Sequence, residues 1–110
     1  MSAVRAAESK QAKDIVVLDV REATSFADYF VISTGASSRQ VQAIADEVAH
    51  QLKNRGERPS SLEGYGNAEW VLMDYGDYLV HVFSEKARMY YDLERLWRDA
   101  KPVDWARESA

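Results

Sequence analysis

Residues 28–40 constrain the fold most, because a strand apolar on both faces, Asp28-Tyr29-Phe30-Val31-Ile32-Ser33-Thr34, runs straight into a helix start, Gly35-Ala36-Ser37-Ser38-Arg39-Gln40. A Gly-Ser turn at a helix N-terminus aims backbone N–H groups and the positive end of the helix dipole at one point, which suits an anion. The plainer reading is a capped helix. Ser37 and Gln40 have the S-x-x-Q spacing in which each side chain satisfies a donor that the helix start leaves unpaired.

The 110 residues suffice for one domain with a modest core and leave no room for a second. Without cysteine there are no disulfides, thiolate metal sites or cysteine nucleophiles, so the core holds by packing alone. No apolar run approaches the roughly 20 residues of a membrane span. Neither an apolar leader block nor an Arg-rich, acid-poor transit segment opens the chain, and a cytoplasmic protein is expected. A net charge of −4 argues against affinity built on phosphate neutralisation and suits a basic protein partner better.

The pattern predicts a short N-terminal helix over 2–11, strands over 15–20 and 28–34 as antiparallel neighbours, and a helix over 38–55 ended by Gly56. Val41, Ile44, Ala45, Val48, Ala49 and Leu52 give that helix one continuous apolar stripe. The Pro- and Gly-containing segment 57–67 reads as the main loop. Strands come next over 70–75 and 78–83, joined by Gly76-Asp77 in a type II′ turn. Ser84 caps a last helix over 85–100, with Ala87, Tyr90, Tyr91, Leu93, Leu96 and Trp97 as its aromatic face and Pro102 marking its end. The fold class is α/β (α+β): one domain over residues 1–102, with a mixed sheet in the order strand, strand, helix, strand, strand, helix. A single right-handed crossover makes the second and third strands parallel. Residues 103–110 carry no pattern and are expected to fray.

A two-residue turn pairs Trp70 with Phe83, Leu72 with His81 and Asp74 with Leu79 on one face, and Val71, Met73 and Tyr75 with Val82, Val80 and Tyr78 on the other. Both faces are apolar. The Trp70, Leu72, His81, Phe83 face is either a partner surface or core beneath the last helix. Asp74 and Asp77 flank a turn, where carboxylates are ordinary, and His50 and His81 lack metal-ligand spacing. No G-x-S-x-G, G-x-G-x-x-G or P-loop pattern occurs. Arg88, Arg95 and Arg98 have roughly helical spacing, but the interleaved Asp92, Glu94 and Asp99 make a solvated mixed-charge face the simpler reading.

The ordered set Asp28 to Gly35, Ser37 to Gln40, Glu63-Gly64, Trp70 to Asp77, Val80-His81-Val82-Phe83 and Arg88 to Trp97 closely resembles the ribosomal silencing factor family, RsfS, also called Iojap. The resemblance covers about residues 3–100. It implies a fold related to nucleotidyltransferases without enzymatic activity or cofactor. It also implies docking on the large ribosomal subunit through ribosomal protein L-fourteen, where the factor keeps the small subunit from joining and damps translation when nutrients are scarce. A minor contact with ribosomal RNA and a homodimer are compatible with it. Carried over by position, it assigns partner binding or its immediate support to Trp70, Asp74, Tyr75, Gly76, Asp77, His81, Arg88, Tyr91 and Glu94, with no catalytic or metal residue. The rival reading is a metal-dependent, nucleotidyltransferase-like enzyme using Gly35, Ser37 and nearby carboxylates. Gly35-Ala36-Ser37 breaks that class's Gly-Ser pair, and no Asp-x-Asp strand comes after it.

Overall fold

The two dense apolar strands and the hairpin meet in one mixed sheet. The computed structural model describes residues 2–105. The elements are α1 (Ser2–Ser9), β1 (Lys13–Asp19), β2 (Tyr29–Gly35), α2 (Ser38–Asn54), β3 (Ser61–Glu63), β4 (Trp70–Asp74), β5 (Tyr78–Ser84), α3 (Glu85–Tyr91), α4 (Leu93–Leu96) and β6 (Lys101–Val103). The sheet order is β3-β4-β5-β2-β1-β6.

Alternation along the strands sends side chains to two cores. Val17, Val31, Val71, Met73, Val80 and Val82 pack beneath Ala3, Val4, Ala6 and Ala7 of α1 and Val41, Ile44, Ala45, Val48 and Leu52 of α2. Leu18, Phe30, Ile32 and Phe83 face the other way and are covered by Ala87, Leu93 and Trp97. The short α1 is therefore held by docking. Gln40 helps, donating from Nε2 to the carbonyls of Lys10 and Gln11 at 3.0 and 3.1 Å.

The expected caps are present. Ser37 Oγ accepts the Gln40 N–H at 3.1 Å, while Gln40 Oε1 accepts from Ala36 N–H, one residue before the usual partner. At the other end of α2, Gly56 N–H donates to Lys53 O and Glu57 N–H to Leu52 O, the paired bonds of a Schellman motif. β1 and β2 are antiparallel, and the β4–β5 register pairs Trp70 with Phe83, Leu72 with His81 and Asp74 with Leu79, as the sequence predicts.

Four expectations are corrected. First, β2 lies parallel to β5 and β4 runs antiparallel to it, so the third predicted strand is not parallel to the second. The reason is β3, a three-residue strand within the segment read as loop, which pairs with β4 and receives the crossover itself. Second, the Gly76-Asp77 loop keeps its two-residue length, with Tyr75 N–H donating to Tyr78 O at 3.0 Å and Gly76 at φ 88°, but the bond inside it is that of a γ-turn, Asp77 N–H donating to Tyr75 O at 3.2 Å. Third, the last helix breaks at Asp92, which sits in the left-handed region at φ 44° and ψ 60° and separates α3 from α4. Fourth, the tail does not fray at Val103. Residues 101–103 pair with β1, and Trp105 Nε1 donates to Ile15 O at 3.2 Å. Residues 106–110 lie outside the described residues.

Candidate functional site: the Trp70–Tyr91 corner

The break at Asp92 changes what the last helical segment buries. Only Ala87 and Leu93 are buried along α3 and α4, while Met89, Tyr90 and Leu96 are 82, 80 and 71% exposed. Tyr90 and Tyr91 belong to the last turn of α3, before the break, and Leu96 to α4 after it. Met89, Tyr90, Tyr91, Asp92, Arg95, Leu96 and Arg98 line an open surface groove of about 470 Å³. Such a concentration of large apolar side chains at the surface of a small domain is uncommon.

The groove borders Trp70, whose ring centroid lies 4.6 Å from that of Tyr91. Trp70 is half-buried at the start of β4 and donates from Nε1 to His81 Nδ1 at 3.1 Å. His81 and Phe83 are buried. The face formed by Trp70, Leu72, His81 and Phe83 is thus core at β5 and reaches the surface along β4, where Trp70 and Leu72 are half-buried. Burial lowers the His81 pKa to about 4, so its imidazole is neutral near pH 7.

Arg88 faces inward, with its side chain only 11% exposed. Its Nε and Nη2 grip both carboxylate oxygens of Glu94 at 3.2 and 2.9 Å, and Nη1 donates to Thr34 Oγ1 on β2 at 2.8 Å. Burial opposes the Glu94 charge, but the Arg88 hydrogen bonds and positive charge outweigh it and hold the carboxyl below its usual pKa. This guanidinium is therefore structural, whereas Arg95 and Arg98 are exposed.

The turn residues stand apart. Asp74 Oδ1 accepts Gly76 N–H at 2.8 Å, and the Asp77 carbonyl accepts Asp28 N–H at 2.6 Å, pinning the hairpin to the start of β2. Tyr75 stacks on Tyr78 at 5.2 Å on the α2 face, and Tyr78 donates to Glu57 at 2.9 Å. The five residues of β4 hold this turn roughly 15 Å from Trp70. Of the nine residues singled out from sequence, Trp70 meets His81 and Tyr91, Arg88 pairs with Glu94 on the α3–α4 corner, and Asp74, Tyr75, Gly76 and Asp77 stand apart at the turn. Met89, Tyr90 and Leu96 are the surface residues that sequence reasoning missed. Asp92, a residue type tolerant of left-handed backbone, was the available signal.

Among the described residues, no group of three or more His, Asp or Glu side chains is placed to hold a metal ion. No helix of the described chain is long and apolar enough to cross a membrane. At the start of α2, protein groups already serve Ala36 and Gln40 N–H.

The family model described as "Ribosomal silencing factor during starvation" matches residues 1–110. The chain belongs to the ribosomal silencing factor family. It is 46% identical over 102 residues to ribosomal silencing factor RsfS of Bacillus subtilis, covering 93% of this chain and 86% of that protein. A crystal structure of a protein from Chromobacterium violaceum superposes with a TM-score of 0.85 at 42% identity, covering 92% of this chain and 84% of that one. Another from Bacillus halodurans gives 0.83 at 42% identity, covering 94 and 93%. A mouse protein named for mitochondrial assembly of the ribosomal large subunit is 32% identical over 91 residues, 80% of this chain and 40% of its own. The family acts in translation regulation and is not enzymatic, which removes the nucleotidyltransferase reading of Gly35 and Ser37.

Proposed function

We propose that the protein docks on the large ribosomal subunit through ribosomal protein L-fourteen and keeps the small subunit from joining, repressing translation in the cytoplasm when nutrients are scarce. Family membership supports the silencing role, and the name of the mouse relative supports the large subunit as the platform. The observation that carries the choice of surface is the exposed cluster of Met89, Tyr90, Tyr91 and Leu96 beside Trp70. Aromatic anchors at the centre of a patch commonly supply most of the affinity of an interface. In this reading Trp70 and Tyr91 make contact, His81, Arg88 and Glu94 support them, and the Asp74 to Asp77 turn forms a distant rim. A minor ribosomal RNA contact would add to the interface through Arg95 and Arg98. A homodimer through the same patch would compete with docking.

The mechanism requires no chemistry, since a bound domain blocks an interface by occupying it. Cosedimentation with isolated large subunits, small subunits and joined ribosomes, then a subunit-joining assay, tests it. Selective binding to large subunits with reduced joining is expected; binding to small subunits alone, or joining unaffected at full occupancy, would refute it. Tyr90→Ala is expected to weaken binding by about tenfold or more while leaving the fold intact, because that side chain is 80% exposed. Equal losses from Asp77→Arg would extend the surface to the turn.

A further inference from the structure

His81 is an unexpected residue for its position. It is 4% exposed and enclosed by rings, with Phe30, Trp70 and Phe83 centroids 4.9, 5.9 and 6.1 Å away. Its Nε2 is buried without a hydrogen-bond partner. A phenylalanine would occupy similar space without stranding a polar atom. What the imidazole adds is an acceptor, the Nδ1 that takes the Trp70 indole N–H at 3.1 Å. With Nδ1 accepting, the ring proton sits on Nε2, the atom left unpaired. Trp70 is thereby held twice, by its nitrogen to His81 and by its ring against Tyr91.

We propose that His81 is a positioning residue for docking: it fixes the Trp70 indole with its nitrogen turned inward, so that the ring shown to the partner beside Tyr91 is apolar and carries no free donor. This rests on the reading that the Trp70–Tyr91 corner docks on the large subunit. The unpaired Nε2 is the cost of having an acceptor inside an otherwise apolar layer.

The test joins a double-mutant cycle on large-subunit binding to hydrogen exchange of the Trp70 indole N–H measured by NMR. His81→Phe is expected to speed indole exchange and to weaken binding about tenfold, with Tm unchanged or higher. His81→Leu removes the acceptor in the same way should the phenylalanine not fit. His81→Asn, whose side-chain oxygen falls near the place of Nδ1, is expected to restore most of the affinity. In a Trp70→Phe background, which has no N–H to hold, His81→Phe is expected to change binding by less than about twofold. A loss of the same size in both backgrounds overturns the proposal, and so does full binding by a His81→Phe protein whose indole has been released. If the unmodified protein fails to bind large subunits, the docking reading falls and the positioning role falls with it.

Discussion

Arg88 turns its charge away from solvent and joins β2, α3 and α4 through Thr34 and Glu94. Arg88→Ala would leave a half-buried carboxylate and a buried hydroxyl without their donor, and is expected to lower stability by about 2–3 kcal/mol in urea titrations. Arg88→Lys should recover little, because an ammonium cannot grip both carboxylate oxygens in parallel. His81 contributes to the acid side of the stability profile. Its folded pKa of about 4 lies below the ordinary 6.5, so the unfolded chain takes up a proton first as pH falls. The part of the stability that depends on neutral His81 is therefore expected to be full above pH 6.5 and to decline between 6.5 and 4, by roughly 3 kcal/mol. Denaturant midpoints for wild type and His81→Phe over that range check this, the variant showing the flatter profile. Gly64 has φ 81°, and a Cβ there would meet Trp70 O at 2.0 Å. Gly64→Ala is expected to cost on the order of 3 kcal/mol and to disturb the start of β4.

At the scale of elements, the long amphipathic stripe of α2, the β1–β2 pair and the hairpin register were legible because each arises from a local period and a cap or turn. Both short strands were not. Ser61-Leu62-Glu63 has no apolar alternation of its own, and only the open edge of β4 makes it a strand. Lys101-Pro102-Val103 is likewise ordered by the β1 edge, with Pro102 at an edge where a missing N–H is tolerated. Missing β3 reversed the expected direction of both hairpin strands relative to β2, although the sheet remained mixed. The α3–α4 corner was misread for a related reason. One continuous helix was expected over 85–100, but the left-handed residue at Asp92 ends α3 and puts Leu96 on a separate short helix. Trp70 was legible twice, from the hairpin register that put it on a candidate partner face and from the resemblance, whereas Tyr91 was assigned to the surface through the resemblance. Because β6 closes one side of the sheet, removing residues 101–110 is expected to expose the β1 edge, lower Tm by several degrees and promote self-association in light scattering.

For the whole molecule, a steric mechanism makes a strict demand: blocking must track occupancy. On the proposed mechanism, a domain with extents of 34 × 33 × 28 Å would obstruct by its size rather than by any single side chain. Plotted against fraction bound, inhibition of joining by wild type, Tyr90→Ala and Trp70→Ala is expected to fall on one curve. A variant that binds fully yet permits joining would show that something other than bulk is at work. The corner carrying the patch has a further property. Ala87, Leu93, the Arg88 bonds and the Tyr91 ring against Trp70 anchor α3 and α4, while Met89, Tyr90 and Leu96 are exposed along them, as are Lys86, Arg95 and Arg98. Segments with so few buried contacts open locally well before the whole protein unfolds. Trypsin should therefore nick the unbound factor there first, and docking should shield the same bonds. If docking covers this corner as proposed, the ribosome would act as the factor's protector against proteolysis, and free copies would be the vulnerable ones.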